Sequence, residues 1–469
     1  MDAPLQVTDT NGTRYQLTHS LGLGGQGEVF AVKGGRLAAK LLRCQTSAAR
    51  ETLRNKLARV KRLDLSGVPI ARPIITLREP AVGYIMELLA HSHPLGDWLR
   101  PPRTAASLLD WYRQTGGLRL RLELAARTAD VLSLLHGKGL VFSDLSPGNV
   151  FVDGSGSAER VTLIDADNLV YESTAGSRVV YTPGFAAPEL LHAESGVNTL
   201  TDAHSFAVIT YQLLTVRHPL IGDAVDSGEP EREQEALQGL LPWVEDPGDT
   251  SNCSSRGLPS AEVVSLRLRE LFQRAFGPGL RDPRLRPGMP EWSDRLWTAA
   301  DATLRCPDCG STYYHNKTEC PWCGAHRPNY VRVFITLWNP EAGSEKKLGD
   351  FVLRPTGESG RRQPVTLAQC LITQGESFAL TRRHAFGSSS DSEGSAVIGV
   401  SVEESRLYLT SLDDRAYDLV SADGKTRTAV ETNGVALSLD AKSSWGLHFG
   451  PDDELHRVAL FRLVASEQT

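Results

Sequence analysis

The sequence predicts an α+β protein of several domains, and three observations support that prediction. The length of 469 residues allows about three domains of roughly 150 residues each. Residues 13–300 alternate between strand-like and long helical segments, residues 301–325 contain four clustered cysteines, and residues 329–465 read as short alternating strands. We therefore expect a large α+β domain, then a small four-cysteine module, then an all-β sandwich.

The composition indicates a folded protein and excludes several functional classes. Hydrophobic residues make up 41% and charged residues 23% of the chain, which is ordinary globular usage. The net charge of -6 argues against nucleic-acid binding through the overall field. Apolar runs such as Ala207–Leu214 fall far short of the ~20 residues that cross a bilayer, and no signal peptide is evident. We expect a cytoplasmic protein without membrane or nucleic-acid partners.

A glycine-rich segment near the N-terminus is the first candidate ligand site. Gly22, Gly24, Gly25 and Gly27 precede strand-like residues that include Val29. Glycines in such a turn let backbone N–H groups approach a polyphosphate. A glycine-rich hairpin without a ligand is the alternative.

Lys40 lies thirteen residues after Gly27, inside the apolar segment Leu37–Leu42. An unpaired ammonium would be costly there, so the position predicts an anionic partner, for which a phosphate is the natural candidate. The alternative is an edge-strand lysine whose ammonium reaches water.

Two carboxylates and an amide follow a predicted helix. Apolar residues recur at helical spacing over Leu118–His136, and glycines follow its end. Asp144 comes next, Asn149 follows five residues later, and Asp165 ends the next apolar run. Such a set could orient a nucleophilic hydroxyl and hold two Mg²⁺ ions.

This order of segments resembles the signature set of the protein kinase superfamily over roughly residues 15–300. The resemblance implies a bilobal fold, with an N-lobe over about 13–89 and a C-lobe over about 90–300. It also implies that Gly22, Gly24 and Gly27 cover the phosphates of ATP and that Lys40 holds the α and β phosphates.

The same resemblance assigns the remaining site residues. Asp144 would accept or orient the proton of the substrate hydroxyl, and Asn149 and Asp165 would ligate Mg²⁺ or Mn²⁺. Residues 82–89 resemble the strand that enters the hinge. By that resemblance Met86 is the gatekeeper and the backbone from Glu87 to Leu89 faces adenine.

The segment Tyr181–Glu189 distinguishes between kinds of kinase. It matches the stretch with which protein kinases seat a peptide acceptor and which small-molecule kinases lack. The resemblance further implies that Asp202 braces the catalytic loop, that Arg286 pairs with Glu189, and that the chain is a bacterial-style serine/threonine kinase acting on protein hydroxyls. Candidate autophosphorylation sites are Ser173, Thr174 and Ser177.

Five positions depart from the family pattern. Phe142 and Ser143 stand where His-Arg is usual, Ser146 replaces a lysine near the transferred phosphate, and Ala166 and Asp167 replace the Phe-Gly after the metal aspartate. These changes keep a second hypothesis open, a pseudokinase scaffold that binds nucleotide or partners without phosphotransfer. Retention of the four candidate catalytic residues favours the enzyme.

The helix that follows Lys40 offers one acidic residue to pair with it. Glu51 is that residue, and it lies on the side of the helix opposite the apolar stripe. Two alternatives remain: Glu51 pairs with Lys40, or it is a solvated glutamate in the first turn of the helix. The helix is otherwise basic, which indicates either a solvated face or a dock for an acidic partner or nucleic acid; its basic residues are Arg50, Arg54, Lys56, Arg59, Lys61 and Arg62.

The cysteine cluster predicts a structural metal site. Cys306 and Cys309 form one C-x-x-C pair, and Cys320 and Cys323 form a second pair ten residues later. Four thiolates at this spacing suit tetrahedral Zn²⁺, and the segment resembles a zinc ribbon. A thioredoxin-like redox motif is the weaker alternative, because no βαβ pattern surrounds the cysteines.

The C-terminal block predicts a β-sandwich that selects partners. Its motif order resembles that of a forkhead-associated domain, in which case Arg382 and Ser401 are candidates for reading phosphothreonine. A plain interaction sandwich is the alternative. The combination of kinase and zinc ribbon also resembles bacterial stress-response kinases that act with a phosphatase and a von Willebrand-type domain protein.

Overall fold

The fold is described from a computed structural model of the chain. The structure describes residues 6–25, 27–154, 160–172, 181–225, 230–340, 353–356, 361–364, 366–387, 396–403, 406–421, 424–438 and 445–465. The candidate autophosphorylation residues Ser173, Thr174 and Ser177 lie outside these residues. Within this described part of the chain, no helix is both long enough and apolar enough to cross a membrane.

The N-terminal part is a six-stranded antiparallel sheet with one helix. The strand order is β1-β2-β3-β4-β6-β5. The elements are β1 (Gln6–Thr8), β2 (Arg14–Leu23), β3 (Gly27–Val32), β4 (Leu37–Leu42), α1 (Ser47–Val60), β5 (Ile75–Thr76) and β6 (Gly83–Glu87).

Helix α1 begins where the side chain of Thr46 accepts a hydrogen bond from the Ala49 N–H at 3.1 Å, which satisfies one of the free donors of the first turn. Leu57 and Val60 are its buried residues. Leu57 packs under the sheet with Tyr84 and Met86 of β6, so the apolar stripe of α1 fixes which face of the helix looks towards the strand lysine.

The following part is mainly helical and contains the largest apolar core. Its short strands are β7 (Ser92–Pro94), β8 (Leu140–Val141), β9 (Val150–Asp153), β10 (Arg160–Leu163) and β11 (Val170–Tyr171). Its helices are α2 (Leu108–Gln114), α3 (Gly117–Gly137), α4 (Pro188–Leu191), α5 (Thr199–Thr215), α6 (Pro230–Leu237), α7 (Ser260–Val263), α8 (Leu266–Phe276), α9 (Pro278–Arg281) and α10 (Met289–Asp301). Short 3-10 turns occupy Leu95–Trp98, Pro147–Asn149, Ala166–Asn168 and Pro283–Leu285.

Two long helices form the centre of this core. The predicted helix is confirmed as α3, which ends before Gly139, a residue at φ +72° that the left-handed turn requires. Helix α5 begins with a reciprocal capping box between Asn198 and Thr201. From Thr201 to its last residue α5 is buried throughout, which explains its near-continuous run of apolar and small side chains.

The C-terminal part confirms a cysteine-rich hairpin followed by a β-rich region. The hairpin strands are β12 (Thr303–Arg305) and β13 (Thr312–Tyr314). A six-stranded sheet of order β17-β14-β25-β24-β21-β22 and a four-stranded sheet of order β18-β19-β20-β23 then share one apolar core. The elements are β14 (Tyr330–Trp338), β15 (Leu353–Thr356), β16 (Arg361–Pro364), β17 (Ala368–Thr373), β18 (Ser377–Thr381), α11 (Arg382–Phe386), β19 (Ala396–Glu403), β20 (Arg406–Ser411), β21 (Tyr417–Ser421), β22 (Arg427–Val430), β23 (Val435–Ser438), β24 (Trp445–His448) and β25 (His456–Val464).

One arginine joins the three parts of the chain. Arg119 of α3 donates through Nε to the Thr303 hydroxyl at 2.8 Å and through a terminal nitrogen to the Thr303 carbonyl at 2.7 Å. Its other terminal nitrogen pairs with Glu376 of the sandwich at 2.7 Å. Tyr314 of the hairpin, moreover, lies in the helical core and donates to the Val263 carbonyl at 3.2 Å.

A second ion pair links α10 to the sandwich. Arg383 of α11 contacts both carboxylate oxygens of Asp301 at 2.9 Å, and the Asp301 side chain is 7% exposed. Burial opposes ionisation of Asp301, but the guanidinium of Arg383 holds the pKa of that carboxyl below its usual value. The pair is therefore charged and largely removed from water.

We expect Asp301→Ala to lower the free energy of unfolding by about 3 kcal/mol, the lower end for breaking a buried pair, because it leaves the Arg383 charge without its partner. Thermal unfolding of the full chain, combined with limited proteolysis of the 301–330 segment, would measure this. Asp294→Ala is the control, because Asp294 is 67% exposed on the same helix. Equal stability of the two variants would contradict the prediction.

Candidate active site

The candidate catalytic loop lies between β8 and β9. Ser143 adopts φ +66°, and this left-handed residue turns the chain so that Asp144 follows β8 directly. The Asn149 amide, at the end of the 147–149 turn, donates to the Asp144 carbonyl at 2.8 Å. The two residues predicted from the five-residue spacing are thus held together by one hydrogen bond.

A buried aspartate fixes the backbone of this loop. Asp202 of α5 accepts hydrogen bonds from the N–H groups of Phe142 at 2.8 Å and Ser143 at 3.2 Å. His136, in the last turn of α3, contacts the same carboxylate at 3.0 Å. The predicted brace is confirmed, and it holds the loop through main-chain atoms, so it does not depend on which side chains occupy positions 142 and 143.

Lys40 is buried, and its ammonium contacts two carboxylates. Its Nζ lies 2.8 Å from Oδ1 of Asp165 and 3.0 Å from Oδ1 of Asp167. Tyr84 of β6 donates its hydroxyl to the same Asp167 oxygen at 2.9 Å. Burial disfavours the ammonium, but the charges of Asp167 and Asp165 hold the pKa of Lys40 above its usual value. The anionic partners that Lys40 has in this structure are therefore the carboxylates of Asp165 and Asp167.

Asp167 is the site residue that sequence reasoning missed. It was identified only as a replacement of the usual glycine, although an aspartate beside a buried strand lysine is the signal that could have found it. Glu51, the acid considered for Lys40, is exposed, and the ion pairs of Lys40 are with Asp165 and Asp167. The structure therefore bears out the alternative in which Glu51 is a solvated first-turn glutamate.

The acceptor-seating segment contacts the catalytic loop. Thr182 donates its hydroxyl to Oδ1 of Asp144 at 2.8 Å. Burial raises the pKa of the Asp144 carboxyl, and the hydrogen bond from Thr182 opposes part of that rise. At the end of the segment, Arg286 forms the predicted bidentate pair with Glu189 at 2.7 and 2.8 Å.

The glycines of the β2–β3 segment have two different roles. Side-chain atoms placed on Gly22 or Gly25 would meet nothing within 4 Å, and one on Gly24 would meet only a carbonyl at 3.9 Å, so this part of the hairpin lies in open space. Gly27 differs, because a Cβ there would lie 2.2 Å from the Leu41 carbonyl of β4. Close strand pairing thus requires glycine at 27 whether or not a ligand binds.

An apolar cluster lies beside Lys40. Val29 of β3, Met86 of β6 and Leu89 after it pack in one cluster with Ala38 and Ile164. Glu87 is exposed at the end of β6. The structure thus brings Val29, Met86 and Leu89 together next to the strand lysine, as a flat apolar ligand would require.

The four cysteines form one compact cluster. Their sulfur atoms all lie within 4.8 Å of one another, with Cys306–Cys323 at 3.6 Å and Cys309–Cys320 at 3.7 Å. Sulfurs that each lie 2.3 Å from a common tetrahedral centre are separated by about 3.8 Å, so the donor set and its size fit Zn²⁺.

The two halves of the cluster have the same backbone design. Gly310 donates to the Cys306 carbonyl and Gly324 to the Cys320 carbonyl, each at 2.9 Å. These glycines adopt φ +72° and φ +76°, which explains why a glycine follows each C-x-x-C pair.

A second group of potential ligands is already occupied by an arginine. Asp301, Cys370 and His384 lie within 4.8 Å of one another at the junction of α10 and the sandwich. Arg383 contacts both Asp301 and the His384 Nε2, the latter at 2.8 Å. The guanidinium supplies the positive charge of this cluster. We therefore interpret the cluster as an ion-pair junction.

The two candidate phosphothreonine residues do not meet. Ser401 pairs with Ser377 at one end of the β18–β19 ladder, whereas Arg382 follows Thr381, which pairs with Ala396 at the other end. At 3.3 Å per residue the four steps from Ser377 to Thr381 correspond to about 13 Å. The structure therefore does not bring Arg382 and Ser401 together, and their phosphothreonine-reading role stays a prediction.

Comparisons with known proteins agree with this geometry. Residues 15–297, more than half of the chain, match the protein kinase domain family. The chain is 29% identical over 218 residues to serine/threonine-protein kinase Pkn1 of Myxococcus xanthus, covering 44% of this chain and 29% of that protein. It is 26% identical over 235 residues to serine/threonine-protein kinase PknB of Mycolicibacterium smegmatis, covering 48% and 35%.

These matches span about a third of the length of each relative. With the family match over residues 15–297 and the catalytic-loop geometry, they lead to one assignment: the chain belongs to the protein kinase family.

Proposed function

We propose that the chain is an ATP- and Mg²⁺-dependent serine/threonine protein kinase. The observation that carries the proposal is that Asn149 is bonded to Asp144 and Lys40 to Asp165, while the N–H of Ile164, beside Asp165, donates to the Asn149 carbonyl at 3.0 Å. Phosphoryl transfer requires mainly positioning and neutralisation of charge, which these groups can supply. Mn²⁺ is an acceptable substitute for the same oxygen and amide donors.

Each residue has a defined role in this proposal. Asp144, freed from Thr182 when a substrate hydroxyl takes its place, accepts or orients the proton of that hydroxyl. Lys40 holds the α and β phosphates. Asn149 and Asp165 hold Mg²⁺, which when bound neutralises charge on the transferred phosphate.

The nucleotide would lie between the glycine hairpin and the apolar cluster. The space around Gly22, Gly24 and Gly25 is open, so no side chain would obstruct phosphates there, although the Gly24 N–H already donates to the Gly27 carbonyl at 2.9 Å. Val29, Met86 and Leu89 would contact adenine, and the backbone from Glu87 to Leu89 would bond its edge.

A protein substrate is favoured over a small molecule by the seating segment. Thr182 connects that segment to Asp144, and the Arg286–Glu189 pair anchors its end in the helical core. The partner is therefore a protein with a serine or threonine acceptor.

We further propose that Cys306, Cys309, Cys320 and Cys323 hold a structural Zn²⁺ and that the sandwich selects partners. The expectation that a phosphatase and a von Willebrand-type domain protein are partners rests on the resemblance alone.

The pseudokinase scaffold is the second candidate, and the ion pair of Lys40 with Asp165, the proposed Mg²⁺ ligand, favours it. A lysine neutralised by two carboxylates must exchange one of them for phosphate oxygens before it can serve a nucleotide. The retained Asp144–Asn149 geometry favours the enzyme.

Transfer of labelled γ-phosphate from ATP to the chain itself and to a generic protein substrate tests the proposal, with Mg²⁺, Mn²⁺ or EDTA. Metal-dependent incorporation into serine or threonine is expected. Nucleotide binding without any incorporation would move the assignment to the scaffold.

We expect Thr182→Ala to shift the acid limb of the pH profile of kcat/KM to higher pH. The sign follows because the Thr182 hydroxyl stabilises ionised Asp144, and removal of that bond raises the pKa of the carboxyl further. Thr182→Ser keeps the hydroxyl and should retain the wild-type profile. An unmoved acid limb in Thr182→Ala would contradict this role of the hydrogen bond.

A further inference from the structure

One carboxylate oxygen in the candidate active site is buried without a hydrogen bond. Oδ1 of Asp167 accepts from Lys40 and Tyr84 at 3.0 and 2.9 Å. Oδ2 of the same group is buried and, in the part of the chain that the structure describes, receives no hydrogen bond. Asp167 has no exposed surface, and an uncompensated buried carboxylate oxygen is costly. A second cation is therefore expected beside it.

Lys56 of α1 is the candidate for that second cation. Helix α1 packs against the 166–168 turn that carries Asp167. Lys56 is half-buried, whereas Arg50 and Arg59 of the same helix are exposed. Burial lowers the pKa of Lys56, and attraction to Asp167 is the largest effect that opposes this. The ammonium thus lies within electrostatic reach of the unsatisfied carboxylate.

We propose that Asp167 is the residue that positions Lys40 for the nucleotide, and that Lys56 anchors helix α1 to Asp167. The kinase resemblance implies an acid on the helix that pairs directly with the strand lysine. In this chain the acid that pairs with Lys40 is Asp167, two residues after the proposed metal ligand Asp165, and the helix provides a second lysine, Lys56. The helix therefore carries a positive charge where the family arrangement has a negative one. The inference rests on the proposed role of Lys40 in nucleotide binding.

The arrangement has a physical consequence for the helix. In a Lys40–Asp167–Lys56 chain, one carboxylate is shared by two ammonium groups that lie on separate elements. Movement of α1 towards the 166–168 turn brings Lys56 to Oδ2 and completes the chain. Movement away leaves Asp167 more strongly bound to Lys40, which competes with the phosphates for the same ammonium.

The first test measures Mg²⁺–ATP affinity by calorimetry and kcat/KM by transfer, using the full chain. Asp167→Asn keeps the size of the side chain and a partner for the Tyr84 hydroxyl. We expect it to lower kcat/KM on the order of 10²-fold, with a raised KM for ATP, because Lys40 loses the group that positions it. Lys56→Met should also weaken ATP binding. Lys61→Met, at the exposed residue that follows the same helix, should match wild type.

The second test exchanges the charges. Lys56→Glu alone places two carboxylates together and should lose activity. Lys56→Glu combined with Asp167→Gly restores the acid to the helix and should recover about tenfold of that loss, a coupling that a merely structural role would not produce. If Asp167→Asn does not fold, Lys56→Met and this pair still test the proposal.

Two results would overturn it. ATP affinity and kcat/KM within twofold of wild type in Asp167→Asn, with Lys40→Met inactive, would show that Lys40 needs no positioning by Asp167. Additive effects of the two charge-exchange substitutions would show that Lys56 and Asp167 are not coupled. Unchanged ATP affinity in Lys40→Met would instead refute the proposed role of Lys40 itself, which distinguishes failure of the proposed function.

Discussion

Asp144→Asn is expected to lower the rate of phosphoryl transfer by about 10²–10⁴-fold, the range attributed to a positioned general base. Asparagine keeps the shape of the side chain and can still accept from the Thr182 hydroxyl, but it cannot take a proton. Affinity for Mg²⁺–ATP should stay within twofold, since the proposed nucleotide contacts lie on Lys40, Asn149 and Asp165. Single-turnover transfer and calorimetric binding on one preparation would measure both quantities.

Two further variants make that result specific. Asp97→Asn is the control, because the Asp97 side chain is exposed, and it should behave as wild type. Asp165→Asn should lose both transfer and the metal dependence of ATP binding, because it removes a proposed Mg²⁺ ligand. Transfer by Asp144→Asn at more than a tenth of the wild-type rate would contradict the proposed role of Asp144.

Loss of the metal proposed at the four cysteines should have the largest effect on stability. Structural Zn²⁺ contributes apparent binding free energies of about 10–16 kcal/mol in small zinc modules, and that energy is folding energy. We expect Cys306→Ser to abolish stoichiometric zinc and to make the 301–330 segment sensitive to protease. Zinc content by mass spectrometry of the native protein, followed by limited proteolysis, would measure this.

Cys253→Ser is the matched control, because Cys253 is an exposed thiol outside the cluster. It should keep its zinc and its resistance to protease. A native chain that contains no zinc, or a Cys306→Ser variant that keeps it, would remove the structural metal from the proposal.

The parts of the fold that were predictable depend on local patterns. The periodicity of 118–136 predicted α3 to within one residue at each end, and the short alternating strands expected over residues 329–465 include β14. The C-x-x-C spacing predicted a compact sulfur cluster. Strand β22 was not predicted, because it lies among turn residues and is largely exposed, so little apolar alternation marks it.

The parts that were not predictable depend on contacts distant in sequence. Asp167 meets Lys40 across 127 residues, and Arg119 meets Glu376 across 257. Each of these side chains, taken alone, is compatible with a solvated position. The separation of Arg382 from Ser401 likewise follows from strand register, which short motif matches do not contain.

The Arg119 junction determines how the catalytic part can be produced for study. A fragment ending at Asp301 would leave Arg119 without Thr303 and Glu376, and would remove Tyr314 from the core it helps to fill. Such a fragment would expose a fresh apolar and charged surface on α3, the helix that leads within seven residues to Asp144. Expression boundaries for enzymology and crystallisation therefore belong after the sandwich, and truncation at the kinase border is expected to give an aggregation-prone sample.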